Sequence, residues 1–155
     1  MGSRLKGLAL AAVVLAGGCS GRVTGPSPGS DPLRISVTRS PTFAGGMAVF
    51  SVRVDNISDS VVNLTFPSSC QVLPYFTDAA GRPVTPIGGG FACLTVITSQ
   101  TLRAGASFSQ TFSVKPGTSP ESQLIVLPPG EYRIRGRLED TVYRLESDPL
   151  PFAVQ

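Results

Sequence analysis

Three cysteines and no histidine define the chemistry open to this 155-residue chain. Without histidine there is no Ser-His-Asp or Cys-His arrangement and no imidazole to hold a metal. Cys70 and Cys93 are too far apart to be a redox CxxC pair. The acids stand singly or in turns. Asp55 with Asp59, and Asp78, could ligate calcium in a loop. No run has the spacing of an EF-hand or a repeat-type calcium loop, and turn formation is the simpler role. Glu139 and Asp140 fit a hairpin turn, and nothing flags a carboxylate pair for glycoside hydrolysis. Gly88-Gly89-Gly90 lacks the strand–helix setting and the Lys-Ser/Thr of a phosphate loop, so it reads as a loop tip. No metal or cofactor is expected, and an enzyme is the least favoured class.

Cys19 belongs to a different chemistry. Arg4 and Lys6 make a positive start, Leu8 to Leu15 form an uncharged apolar run, and Ala16, Gly17 and Gly18 lead into the cysteine. The apolar run is shorter than the roughly 20 residues that span a bilayer, and the three parts are those of a secretory signal. Leu15-Ala16-Gly17-Gly18-Cys19 resembles a bacterial lipobox, which implies a diacylglycerol on Cys19 and cleavage before it. The alternative is an ordinary signal peptide with an incidental cysteine. Two or three acyl chains would make the attachment long-lived, since each buried methylene contributes about 0.8 kcal/mol and one chain holds a protein only marginally. Ser20 stands where some enteric bacteria place an inner-membrane retention aspartate. The expected location is therefore the cell envelope, lipid-anchored outside the cytoplasm, with the outer membrane or cell surface favoured. With Cys19 assigned to the lipid, Cys70 and Cys93 remain, and two thiols in an oxidising compartment should pair. Such a bridge would contribute about 3 kcal/mol in the chain-entropy model. Two unpaired buried cysteines are the competing reading.

Charge points to no polyanionic partner. The chain has 13 Lys and Arg against 10 Asp and Glu; losing Arg4 and Lys6 with the signal leaves 11 against 10, a net +1. No basic cluster with interleaved aromatics suggests nucleic-acid binding. Residues 1–18 thus read as signal, 19–32 as lipidated cysteine and Gly/Pro/Ser-rich tether, and 33–155 as one domain.

Within the domain the hydrophobic period is two. Phe50, Val52 and Val54 share one face, and so do Val62, Leu64 and Phe66. Phe108, Phe112 and Val114 follow, then Tyr132, Ile134 and Leu138, then Leu150, Phe152 and Val154. Leu33–Arg39, Gln71–Thr77, Phe91–Thr98 and Val142–Glu146 are further candidate strands. Turn signals recur at residues 78–81, 103–105 and 128–130. Short half-buried strands at this spacing predict an all-β, immunoglobulin-like antiparallel sandwich of about seven to nine strands. Phe50, Val52, Val54, Leu64, Phe66, Phe108, Phe112, Tyr132, Ile134 and Phe152 should form its core. Arg133, Arg135 and Arg137 should make a solvated face, with Glu131 and Glu139 at its ends.

Recognition then falls to loops on a rigid scaffold. Pro83–Ala92 runs into Cys93 and would be tied down by the bridge, with Pro83, Ile87 and Phe91 as contact residues. Ile87 would offer an apolar side chain to a specificity pocket. Lys115–Pro129 is the other loop; its Leu124, Ile125, Val126 and Leu127 read either as an extra strand or as an exposed binding edge.

The order of motifs carries a resemblance. Phe50-x-Val52-x-Val54-x-Asn56-x-x-Asp59 is followed by Val62-x-Leu64-x-Phe66 and by a strand ending in Asp78-Ala79-Ala80-Gly81. Leu102-Arg103-Ala104-Gly105 and Pro129-Gly130-Glu131-Tyr132 complete it. Residues 47–140 in this order resemble the BsuPI family, named for an intracellular proteinase inhibitor of bacilli. The resemblance implies an immunoglobulin-like sandwich and a protein partner, a protease first. The expected function is a lipid-anchored protein-binding module, with a structural or accessory envelope lipoprotein as the alternative.

Overall fold

The computed structural model describes residues 31–40 and 47–155. Cys19, the signal segment and the tether up to residue 30 lie outside the described residues. Ten strands follow in chain order: β1 (Leu33–Arg39), β2 (Ala48–Asn56), β3 (Val62–Phe66), β4 (Val72–Asp78), β5 (Pro83–Val84), β6 (Thr98–Leu102), β7 (Ser107–Pro116), β8 (Ile125–Leu127), β9 (Gly130–Leu138) and β10 (Leu150–Val154). They form one sheet in the order β1-β2-β7-β8, a second in the order β10-β9-β4-β5, and a ribbon of β3 with β6. No helix occurs among the described residues. The all-β sandwich is thus the expected one. It has ten strands because β5 and β8, two and three residues long, add to the longer set. All pairings are antiparallel except β7 with β8, which is parallel.

The period-two pattern works as read. In β2, Phe50, Val52 and Val54 are fully buried while Arg53 faces water. The sheets meet through aromatic edges: Phe50 on β2 lies 4.8 Å from Phe152 on β10, and Phe76 on β4 is 6.1 Å from the same ring. Each such burial contributes about 1.5–3 kcal/mol. Phe108 and Tyr132 are corrections to the expected core, being half-buried at its margin. The ring of Tyr132 folds back over Gly130 and donates its hydroxyl to the Pro128 carbonyl at 2.9 Å, which leaves one side open.

Two of the sequence motifs form one hydrogen-bonded knot. Asn56, only 1% exposed, donates its amide to the carbonyls of Ser60 (2.7 Å), Leu102 (3.0 Å) and Arg103 (3.1 Å). Its side-chain oxygen accepts from the Ser58 N–H and hydroxyl. One buried side chain thus holds the end of β2, the turn after it and the β6–β7 connection. Asp140, also buried, accepts the Thr65, Val142 and Tyr143 N–H groups. That local turn is why Val142–Glu146, expected as a strand, forms only a bridge between Glu146 and Arg137.

Arg133, Arg135 and Arg137 do line an outer face of β9. Arg137 stacks 4.0 Å over Tyr75 and pairs with Glu139 at 2.7 Å, and Arg135 lies 3.6 Å from Glu146. The Glu139 hydrogen bond is the main reason the Arg137 guanidinium titrates above its ordinary range.

Candidate functional site

Cys70 and Cys93 form a disulfide with Cα atoms 5.4 Å apart. The bridge closes on a segment that starts at the β4–β5 hairpin. Asp78 opens that turn, accepting the Ala80 and Arg82 N–H groups at 2.9 Å each, and Gly81 takes the left-handed conformation that L side chains avoid. The Arg82 backbone N–H, then the Arg82 side chain, lower the Asp78 pKa below its ordinary value. Beyond β5, Ile87 donates its N–H to the Val126 carbonyl at 2.9 Å, an isolated antiparallel bridge. Phe91 then packs edge-on against Phe112, with centroids 6.0 Å apart.

The second loop arrives at the same place. After β7, Gly117 donates to the Leu127 carbonyl and Lys115 pairs with Glu121. Ile125, Val126 and Leu127 then run parallel to β7 as β8, and all three are buried. Of the two readings of this run, the extra strand is found over Ile125–Leu127 and the exposed binding edge is corrected: three of the four residues are interior, and Leu124 is half-buried. The two candidate loops, read from sequence as alternatives, are one unit joined at Ile87 and Val126. Gly88 has a positive φ, and a Cβ there would come within 2.8 Å of Pro120, so glycine is required where the loops touch.

Between them lies a cleft of about 520 Å³, inside the range of sites that take small ligands or side chains. Ile87, Phe91, Phe112 and Leu124 give it apolar walls, and Thr111 and Ser113 of β7 add hydroxyls. Glu121 is the one ionisable side chain on the wall, and it is paired with Lys115. Hydroxyls without histidine give no base-activated nucleophile of the usual kind. The arrangement suits binding of an apolar group. Pro83 stands apart from this cleft: with Phe91 it lines a smaller depression of about 300 Å³ against Leu73–Phe76.

Sequence reasoning missed the segment just beyond the bridge. Phe91–Thr98 is not a strand; the strand is β6, which begins at Thr98. Leu94 is 72% exposed, Val96 47% and Ile97 77%. Ser69 explains this: its N–H donates to the Leu94 carbonyl and its hydroxyl accepts the Leu94 N–H, so the main chain is held without a covering strand. Among the described residues no group of three His, Cys, Asp or Glu side chains could hold a metal, and no helix is long and apolar enough to cross a membrane.

No family model matches the chain, and no curated protein does. Among solved structures it is similar to parts of β-glucosidases. One from Erythrobacter marinus shares 17% identity at a TM-score of 0.39, over 78% of this chain and 15% of that one. One from Listeria innocua gives 19% and 0.37, over 79% and 16%. β-Glucosidase 3B from Thermotoga neapolitana gives 17% and 0.40, again over 79% and 16%. The chain spans about a sixth of these enzymes' length, and likeness at this level carries no argument about activity.

Proposed function

We propose that this chain is a lipid-anchored extracytoplasmic protein whose BsuPI-like sandwich binds another envelope protein, with an exported protease as the first candidate. The observation that supports binding is the joined pair of loops, stapled at one end by Cys70–Cys93 and bonded at Ile87–Val126 around an apolar cleft. A recognition surface held this way loses little conformational entropy on binding. On this reading Ile87, Phe91 and Leu124, which line the cleft together, meet the partner. The lipid on Cys19 would hold the domain at the membrane through the tether.

Two measurements test the two halves. Metabolic palmitate labelling should vanish in Cys19→Ala; unchanged labelling refutes the anchor. Residual-activity assays of the purified protein against serine proteases of the same envelope test the binding half. Because the loops form one unit, reduction of the bridge and Ile87→Asp should each weaken inhibition. No inhibition of any of these proteases at micromolar protein makes a structural or accessory envelope role the better reading.

A further inference from the structure

A sheet edge is a row of main-chain donors and acceptors, and proteins guard such rows with proline, charge, shortness or cover. Four edges of this fold are guarded in those ways. β10 carries Pro151, β5 is two residues beginning with Pro83, β8 is three residues bridged by Ile87, and β1 carries Arg34 and Arg39. The outer side of β3 is taken at Thr65, whose N–H donates to Asp140 and whose carbonyl accepts from Thr141. β6 has none of these protections. Its five residues, Thr-Ser-Gln-Thr-Leu, contain no proline and no charge, and among the described strands it pairs only with β3.

The register says which groups are free. Thr65 faces Ser99 and Asn63 faces Thr101 in the β3–β6 ladder. Since the Thr65 N–H and carbonyl turn away to residues 140 and 141, Thr65↔Ser99 is a non-hydrogen-bonded pair, and by alternation so is Asn63↔Thr101. The N–H and C=O groups of Ser99 and Thr101 therefore point outward along the edge. Both residues are exposed, and no described main-chain group bonds to them on that side. The edge continues into exposed Leu94, Val96 and Ile97 and is fixed from behind by the disulfide and by Thr98, which donates its hydroxyl to the Ser68 carbonyl.

We propose that the free edge of β6 is a strand-addition site, accepting an extended, uncharged segment of a partner protein through the main chain of Ser99 and Thr101. Outward main-chain groups in this spacing are matched by another backbone, and alternate side chains then supply selectivity. The charge pattern favours an uncharged segment: no Asp, Glu, Lys or Arg lies between Arg82 and Arg103, so the stretch offers a charged one no counter-ion. A second copy of this chain is the competing occupant, and its dimer is read as a separate outcome.

The test uses full-length protein in detergent against a displayed library of random heptapeptides. The expected result is enrichment of uncharged peptides rich in β-branched and aromatic residues. A synthetic peptide of the enriched sequence should slow hydrogen exchange at the Ser99 and Thr101 amides. Ser99→Pro removes an outward N–H that β3 does not use, and it should abolish binding; where that variant fails to fold, Ser99→Lys, a guard charge, should do so instead. No enrichment, protection elsewhere, or binding that survives both variants overturns the proposal. A concentration-dependent dimer protecting the same two amides also overturns it and makes a second copy the occupant. The protease assay with Ile87→Asp reads the cleft separately, so failure of one surface is distinguishable from failure of the other.

Discussion

At Gly136 the two layers of the sandwich come too close for any side chain, and replacing it tests that packing directly. It lies in β9 opposite Pro74 of β4, with its N–H donated to the Ser147 hydroxyl and its carbonyl accepting the Ser147 N–H. A Cβ at this position would stand 2.2 Å from Val52 Cγ1, 2.9 Å from Cγ2 and 3.1 Å from Cβ. Ordinary carbon contacts begin near 3.5 Å, so the first distance is about 1.3 Å too short. Rotating Val52 does not clear it, because both methyls and their parent carbon are close and the side chain is wholly buried. The layers must therefore separate locally. Overpacking of this kind costs about 1–3 kcal/mol, and relief of glycine's backbone entropy returns roughly 0.5–1 kcal/mol. An overlap this deep puts the cost at the upper end, so Gly136→Ala should destabilise by about 2–2.5 kcal/mol net, read as a lower urea midpoint at constant slope. Val52→Ala should be destabilising on its own, yet the double variant should be less unstable than the sum, since the new methyl occupies the vacated space. A neutral Gly136→Ala, or strict additivity with Val52→Ala, would refute the close approach.

Asn56→Ala should destabilise by about 2–4 kcal/mol in urea unfolding, because it strands the Leu102 carbonyl and the Ser58 N–H it served; a loss under about 0.5 kcal/mol would show that water replaces it. Asp78 should titrate below its ordinary 3.8, since Arg82 favours its charged form. A depressed folded pKa means a stabilising contribution present above the unfolded pKa and lost as pH falls through the folded one, so Asp78→Asn should flatten that part of the acid limb. An NMR carboxyl titration of Asp78 at or above the ordinary value would contradict the turn geometry.

The long strands were legible because alternation is local. Phe50, Val52 and Val54 state their buried face in sequence, and the ladder with Phe112 and Phe108 follows from it. The disulfide was legible from the cysteine count and the expectation of export. The motif order was legible as a pattern but its cause was not. Nothing local says that Asn56 reaches Leu102 and Arg103, more than forty positions on, although a buried asparagine at a strand end needs partners of that kind. The cleft was half legible: both loops were singled out, but their junction at Ile87 and Val126 depends on a parallel pairing that no turn signal announces.

Two apolar runs of similar type end in opposite environments, and the reason is physical. Leu124–Leu127 and Leu94–Ile97 are similar in length and in hydrophobicity. A strand with apolar residues on both faces is stable only where both faces are covered. β8 has that cover: Ile125 and Leu127 join the core, while Val126 lies under Gly117, where a Cβ would come within 2.9 Å of its methyl, and beside Ile87. Leu94–Ile97 has no such cover, because Ser69 and the Cys70–Cys93 bridge hold its main chain at the rim of the fold. What decides between interior and surface is thus the covering segment, which lies elsewhere in the chain for Leu124–Leu127. For Leu94–Ile97 and the β6 edge beside it, no described segment of the chain supplies that cover.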